Sequence, residues 1–115
     1  MLKIFQSLKE NKIIKKYEVL DFKQGDNFYY IKIKAILINQ SILTIREYNS
    51  INERIYSYHW QKKNNKLIYR WDNAPYHKKL KTFPYHRHSP NKVEESDEIY
   101  LEEILKIIEN KIQNK

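Results

Sequence analysis

Cysteine is absent, which removes disulfides, cysteine–zinc sites and thiol nucleophiles together and fits a cytoplasmic protein. Long apolar runs are missing too. The longest stretch, "AILI" at 35–38, is far too short to span a membrane, and "MLKIFQSLKENKII" carries no signal-peptide pattern. With one glycine and three prolines in 115 residues, no internal repeat or interdomain linker is apparent. The length predicts one domain, 1–115. Hydrophobic residues at 41% against 31% charged place it among globular chains, with a core of limited thickness.

What the chain does have is positive charge in one place. From His59 to Lys92 nine Lys/Arg face one acid, Asp72, a balance of +8 that equals the net charge of the whole protein. AT-rich codon usage would spread lysine evenly; this is a patch, and a patch suggests a phosphate-bearing partner.

The pattern before it is that of a β meander. Segments 13–23, 28–38, 41–48, 54–61 and 66–71 are β-branched and aromatic. "GDN", "NQ", "NSIN" and "NN" punctuate them. Five strands with short turns predict an antiparallel sheet in an α+β fold, with 13–23 at an edge. The first dozen residues suit a short helix with Leu2, Phe5 and Leu8 on one side. At the other end Ser96 is a candidate cap with Asp97 and Glu98 in the first turn. Leu101, Ile104, Leu105, Ile108 and Ile112 follow as one apolar stripe, and Lys111 and Lys115 complement the dipole.

Register can be tested on paper. A two-residue turn at Asn64-Asn65 pairs Trp60 with Tyr69, Tyr58 with Trp71 and His59 with Arg70. A turn centred on Ser50-Ile51 pairs Ile45 with Tyr56 and Leu43 with Tyr58. Both turns put aromatics on one side, the seat for the C-terminal helix. Both put Arg46, Ser57, His59, Arg70 and Asp72 on the other.

The stretch "RWDNAPYHKKLKTFPYHRH", 70–88, then gathers three of the four histidines. Residues 73–92 hold all three prolines and read as an ordered loop with at most one short strand. A solvated polar face is the plain alternative. Histidine is the side chain suited to donate or accept a proton near neutral pH, arginine offers a fork of donors to phosphate, and Tyr or Trp can hold splayed bases. That combination fits metal-independent RNA cleavage. His86-x-His88 with His77 and Asp72 could instead hold zinc, but the surplus of positive charge argues against it, so no metal or other cofactor is expected.

"YSYHWQ" (56–61), "RWDNAP" (70–75), "TFPYHRH" (82–88) and "VEES" (93–96), followed by an isoleucine/leucine-rich helix, resemble the TumE family of prokaryotic toxin–antitoxin toxins. His59, Asp72, His77, His86 and His88 stand where that family has them. Positions 76 and 85, often histidine there, are tyrosine here, and Arg87 is often lysine. The resemblance implies a small cytoplasmic toxin encoded beside a helix-turn-helix antitoxin; in the predicted fold an edge strand or the C-terminal helix would dock it.

Together these readings predict a toxin that cleaves RNA. His86 and His88 would be the acid/base pair, with His59 or His77 as the alternative partner. Arg46 and Arg70 would hold the phosphate and Asp72 would orient a neighbour. Trp71 or Tyr85 would stack a base, and Lys78, Lys79, Lys81 and Arg87 would bind nucleic acid. A homodimer is compatible with the sequence. The competing readings are a non-catalytic nucleic-acid- or protein-binding module and a metal-dependent hydrolase.

Overall fold

A computed structural model describes residues 3–113. Helix α1 (Lys3–Glu10) precedes strands β1 (Ile14–Gln24), β2 (Phe28–Leu37), β3 (Ile42–Ser50), β4 (Arg54–Gln61), β5 (Leu67–Asp72), β6 (His86–His88) and β7 (Val93–Glu95), and helix α2 (Leu101–Gln113) closes the chain. The strands form one antiparallel sheet in sequential order. The α+β class is as expected, with β1 at an edge; the strand count is seven rather than five. The two additional strands are three residues each, and His86-Arg87-His88 is polar throughout, so neither carries the alternation by which strands are read. Leu2 and Lys115 lie outside the described residues.

The β4–β5 pairing is the expected one: Trp60 opposite Tyr69, Tyr58 opposite Trp71, His59 opposite Arg70. Its turn is a residue longer, with Asn65 at φ 71° and a register shift at Gln61. Between β3 and β4 the register differs by two, Ile45 meeting Tyr58 and Leu43 meeting Trp60. The cause is local. Ser50 N–H bonds the Glu53 carbonyl at 2.9 Å, and the Ser50 hydroxyl accepts the N–H groups of Asn52 and Glu53, so the turn sits on Ile51-Asn52. A shift of two leaves every side chain on its predicted face.

One face is the core. Ile31, Ile33, Ala35, Leu37, Leu43, Ile45, Tyr58, Trp60 and Trp71 are buried together with Leu101, Ile104, Leu105 and Ile108 of α2 and with Ile4 and Leu8 of α1. The single glycine, Gly25, is held close to its own hairpin: a Cβ there would meet the Phe28 ring at 2.3 Å.

Helix α2 starts five residues after the predicted cap. Tyr100 leads it, its carbonyl accepting from Glu103 and Ile104 N–H groups while Glu103 reaches back to the Tyr100 N–H at 3.2 Å. Glu98 is committed elsewhere. Arg54 donates to Glu98 at 3.2 Å, to the Ile99 carbonyl at 2.8 Å and to the Tyr58 hydroxyl at 2.9 Å. Its guanidinium also lies 4.1 Å from both the Tyr56 and Tyr100 ring centroids. Beneath it Tyr58 donates to the buried Glu47. Burial first, and then the charge of Glu47, push the Tyr58 hydroxyl far above its usual range. This clamp fixes the segment entering α2 to the sheet.

Candidate functional site

The opposite face is where the charged residues collect. Successive pairings align Thr44, His59, Arg70 and His88 in one row across β3, β4, β5 and β6, and Arg46, Ser57, Asp72 and His86 in the next. Lys34 and Lys32 extend the two rows on β2, and Val93 and Glu95 extend them on β7. Adjacent strands lie about 4.8 Å apart, so His59 and His88 flank Arg70 at one strand's distance on either side.

The loop between β5 and β6 delivers the remaining histidine. It is a run of turns, closed by backbone bonds from Leu80 to His77, Phe83 to Leu80 and Tyr85 to Thr82. The Thr82 hydroxyl accepts from the Ser96 N–H at 3.1 Å and donates to the Tyr85 carbonyl at 2.7 Å, pinning the loop to β7 and β6. His77 is thereby brought to the pair His86 and His88, with ring centroids 4.7 and 5.4 Å away.

Asp72 is the anchor. Its side chain is 7% exposed, and it accepts from Arg70 Nε at 3.0 Å and from the Ala74 N–H at 3.0 Å. His86 Nε2 lies 2.8 Å from Asp72 Oδ1 and 3.0 Å from His88 Nε2. The other ring nitrogen, Nδ1, donates to the Pro84 carbonyl at 2.9 Å, because a carbonyl can only accept. With that proton fixed on Nδ1, a neutral His86 would turn a lone pair towards a carboxylate and a second imidazole. That bond leaves His86 Nε2 as the ring nitrogen directed at the Asp72 carboxylate and the His88 ring.

Two histidines are poised to stay neutral. The His88 value is lowered, by burial first and then by His86, His77 and Arg70, against the opposing pull of Asp72. That of His59 is lowered by burial and then by the Arg70 charge, Arg70 Nη1 standing 3.5 Å from His59 Nδ1. Beside Asp72 a groove of about 230 Å3 is lined by Tyr30, Arg46, Ser57 and Arg70.

The structure assembles His59, His77, His86, His88, Arg70, Asp72 and Arg46 on one face, and it corrects several individual assignments. His86 is 2% exposed, too buried for the direct contact expected of an acid/base residue. Trp71, at 1% exposure, is core and cannot stack a base. Tyr85 packs on the core side, stacked on Tyr56 at 6.5 Å. Arg87 also points to that side, since the residue between His86 and His88 must. It pairs with Glu94 at 2.6 Å and lies over the Tyr69 ring, an arrangement that depresses the Glu94 carboxyl. Lys78, Lys79 and Lys81 are exposed on the loop. Tyr76, to which the sequence reading assigns no role, is 80% exposed beside His77.

A family model described as Toxin TumE matches residues 3–112. The chain belongs to the TumE toxin family. Membership points to the toxin component of a toxin–antitoxin system, and so to an antitoxin partner. No curated protein and no solved structure matches the chain. No helix among the described residues is long and apolar enough to cross a membrane.

Proposed function

We propose that this TumE-family toxin acts by cleaving RNA on the His/Arg face of its sheet. The observation that carries the reading is the row His59–Arg70–His88, which sets a cation between two imidazoles. Arg70, with Arg46 from the neighbouring row, would hold the scissile phosphate. His88 would take the 2′-hydroxyl proton as the 2′-oxygen attacks phosphorus. His59 would give a proton to the departing 5′-oxygen, leaving a 2′,3′-cyclic phosphate and a 5′-hydroxyl. The phosphate charge offsets Arg70 when RNA binds, which raises the proton affinity of the flanking rings. Asp72 and His86 are positioning residues behind His88. Tyr76 replaces Trp71 and Tyr85 as the base-stacking candidate, and Lys78, Lys79 and Lys81 extend the phosphate track. Within this reading the toxin is cytoplasmic and its antitoxin carries a helix-turn-helix domain.

The test is cleavage of single-stranded RNA by purified protein in excess EDTA, with His88→Ala and His59→Ala as comparisons. Cleavage that survives EDTA and falls at least a hundredfold in each variant is the expected result, in line with the usual weight of one acid or base. Wild-type protein that binds but cuts none of several RNAs overturns the proposal in favour of a binding module.

A further inference from the structure

The three imidazoles on β6 and the loop make more of a site than proton transfer needs. One ring nitrogen each of His77, His86 and His88 can be chosen so that all three lie within 4.8 Å of one another. Around a tetrahedral zinc ion, ligand nitrogens about 2.1 Å from the metal are about 3.4 Å apart. His86 Nε2 and His88 Nε2 are already at 3.0 Å. His77 is the member carried by the loop between β5 and β6, its ring centroid 4.7 Å from that of His86.

The second observation is the hydrogen bond from His86 Nδ1 to Pro84. A backbone carbonyl on one imidazole nitrogen fixes the tautomer that offers the other as a ligand. That free nitrogen faces the buried Asp72 carboxylate and His88, so a divalent cation placed there meets a negative charge as well as three imidazole lone pairs. The regional surplus of lysine is no obstacle at this point. Lys78 and Lys79 are exposed to solvent, and two carboxylates stand close by, Asp72 at 2.8 Å from His86 Nε2 and Glu95 opposite His86 in the same row.

We infer that His77, His86 and His88 form a three-imidazole site for Zn2+, with Asp72 as its counter-charge and a water on the fourth position. Occupancy withdraws the His88 lone pair from acid–base service. Zn2+ is then a reversible inhibitor of the toxin, a consequence that rests on the RNA-cleaving reading, whereas the site itself does not.

Chelator-treated protein titrated with Co2+ and followed by visible absorption reports tetrahedral binding directly, and Zn2+ calorimetry gives the stoichiometry. One ion per chain is expected, with binding weakened more than about tenfold in His77→Asn and in His88→Asn; far-UV circular dichroism checks that both variants fold. His77 lies on a turn, so His77→Asn should fold as the native chain does. Absence of the tetrahedral Co2+ spectrum, or undiminished binding in the folded His77→Asn protein, overturns the site. Added Zn2+ should abolish RNA cleavage and EDTA restore it; activation by Zn2+ overturns the inhibitory role. Should the protein cleave no RNA under any condition, the spectra still decide the site while the functional proposal falls.

Discussion

Replacing Asp72 by asparagine tests how much of the site hangs on one buried charge. The side chain keeps its shape, but an amide has one accepting oxygen where the carboxylate has two. Asp72 accepts from Arg70 Nε and the Ala74 N–H, and its Oδ1 lies 2.8 Å from His86 Nε2. If the new oxygen faces Ala74 and His86, the amide NH2 points at the Arg70 guanidinium. If it faces Arg70, the NH2 points at the Ala74 N–H. Either rotamer sets donor against donor, and both remove the carboxylate charge that pairs with Arg70. A hydrogen bond to a charged group contributes about 1.5–3 kcal/mol. Arg70 is 39% exposed at its side chain and belongs at the low end. Losing one such bond and weakening another costs about 3 kcal/mol, close to 12 °C in Tm for a chain of this length. Urea unfolding followed through Trp60 and Trp71, both under 4% exposed, measures it. A midpoint within 0.5 kcal/mol of wild type, judged roughly the scatter of neutral surface changes, would show that Asp72 holds no charged partner and would refute the argument.

Arg54→Ala removes the donor to Glu98, Ile99 and Tyr58 and a positive charge that couples to the buried Glu47; a loss of about 3–5 kcal/mol is expected in the same unfolding assay, with Arg54→Lys recovering only part. The His59 ring should titrate below the ordinary 6.5 by NMR, and Arg70→Gln should move it upward; an unmoved resonance would dissociate the two groups. Because the folded value is the lower one, the folded protein binds fewer protons than the unfolded chain just below pH 6.5. The His59 contribution to stability is therefore complete above that pH and is lost as pH falls through the folded value. Changing Lys78, Lys79 and Lys81 together to glutamine should flatten the dependence of log binding constant on log salt by about 2 for single-stranded RNA; an unchanged slope would place the phosphate track elsewhere.

Periodicity decides how much of the site is legible in the sequence. Wherever apolar and polar residues alternate, as in β2 to β5, the faces were legible, and the two-residue register difference between β3 and β4 did no harm because it preserves parity. The α2 stripe was legible for the same reason. Its start was not, since Asp97 and Glu98 look like first-turn acids while Arg54, forty-four residues away, recruits Glu98 into the clamp. Strands β6 and β7 lacked any alternating signal, so the exposed or buried fate of Tyr85, His86 and Arg87 could not be inferred. The basic patch was visible as composition; that Arg87 belongs to the other side of the sheet was not.

The two short strands are what convert a polar sheet face into a site. Had residues 86–88 remained a loop, three histidines would hang near Arg70 with no fixed rotamers, and ordering them would cost conformational entropy at each binding event. Pairing β6 with β5 sets His86 opposite Asp72 and His88 opposite Arg70, so the sheet itself chooses the neighbours. β7 has a separate task. By pairing with β6 it keeps β6 from being an edge, and through Ser96 and Thr82 it ties down the loop that carries His77. The segment that follows β7 is held by Arg54. Stability of the α2 clamp and geometry of the histidine cluster are thus joined through three residues of strand, and Arg54→Ala should disturb the His86 and His88 ring resonances although Arg54 touches neither. Unchanged resonances in a folded Arg54→Ala protein would mean that the site is held by β5 alone.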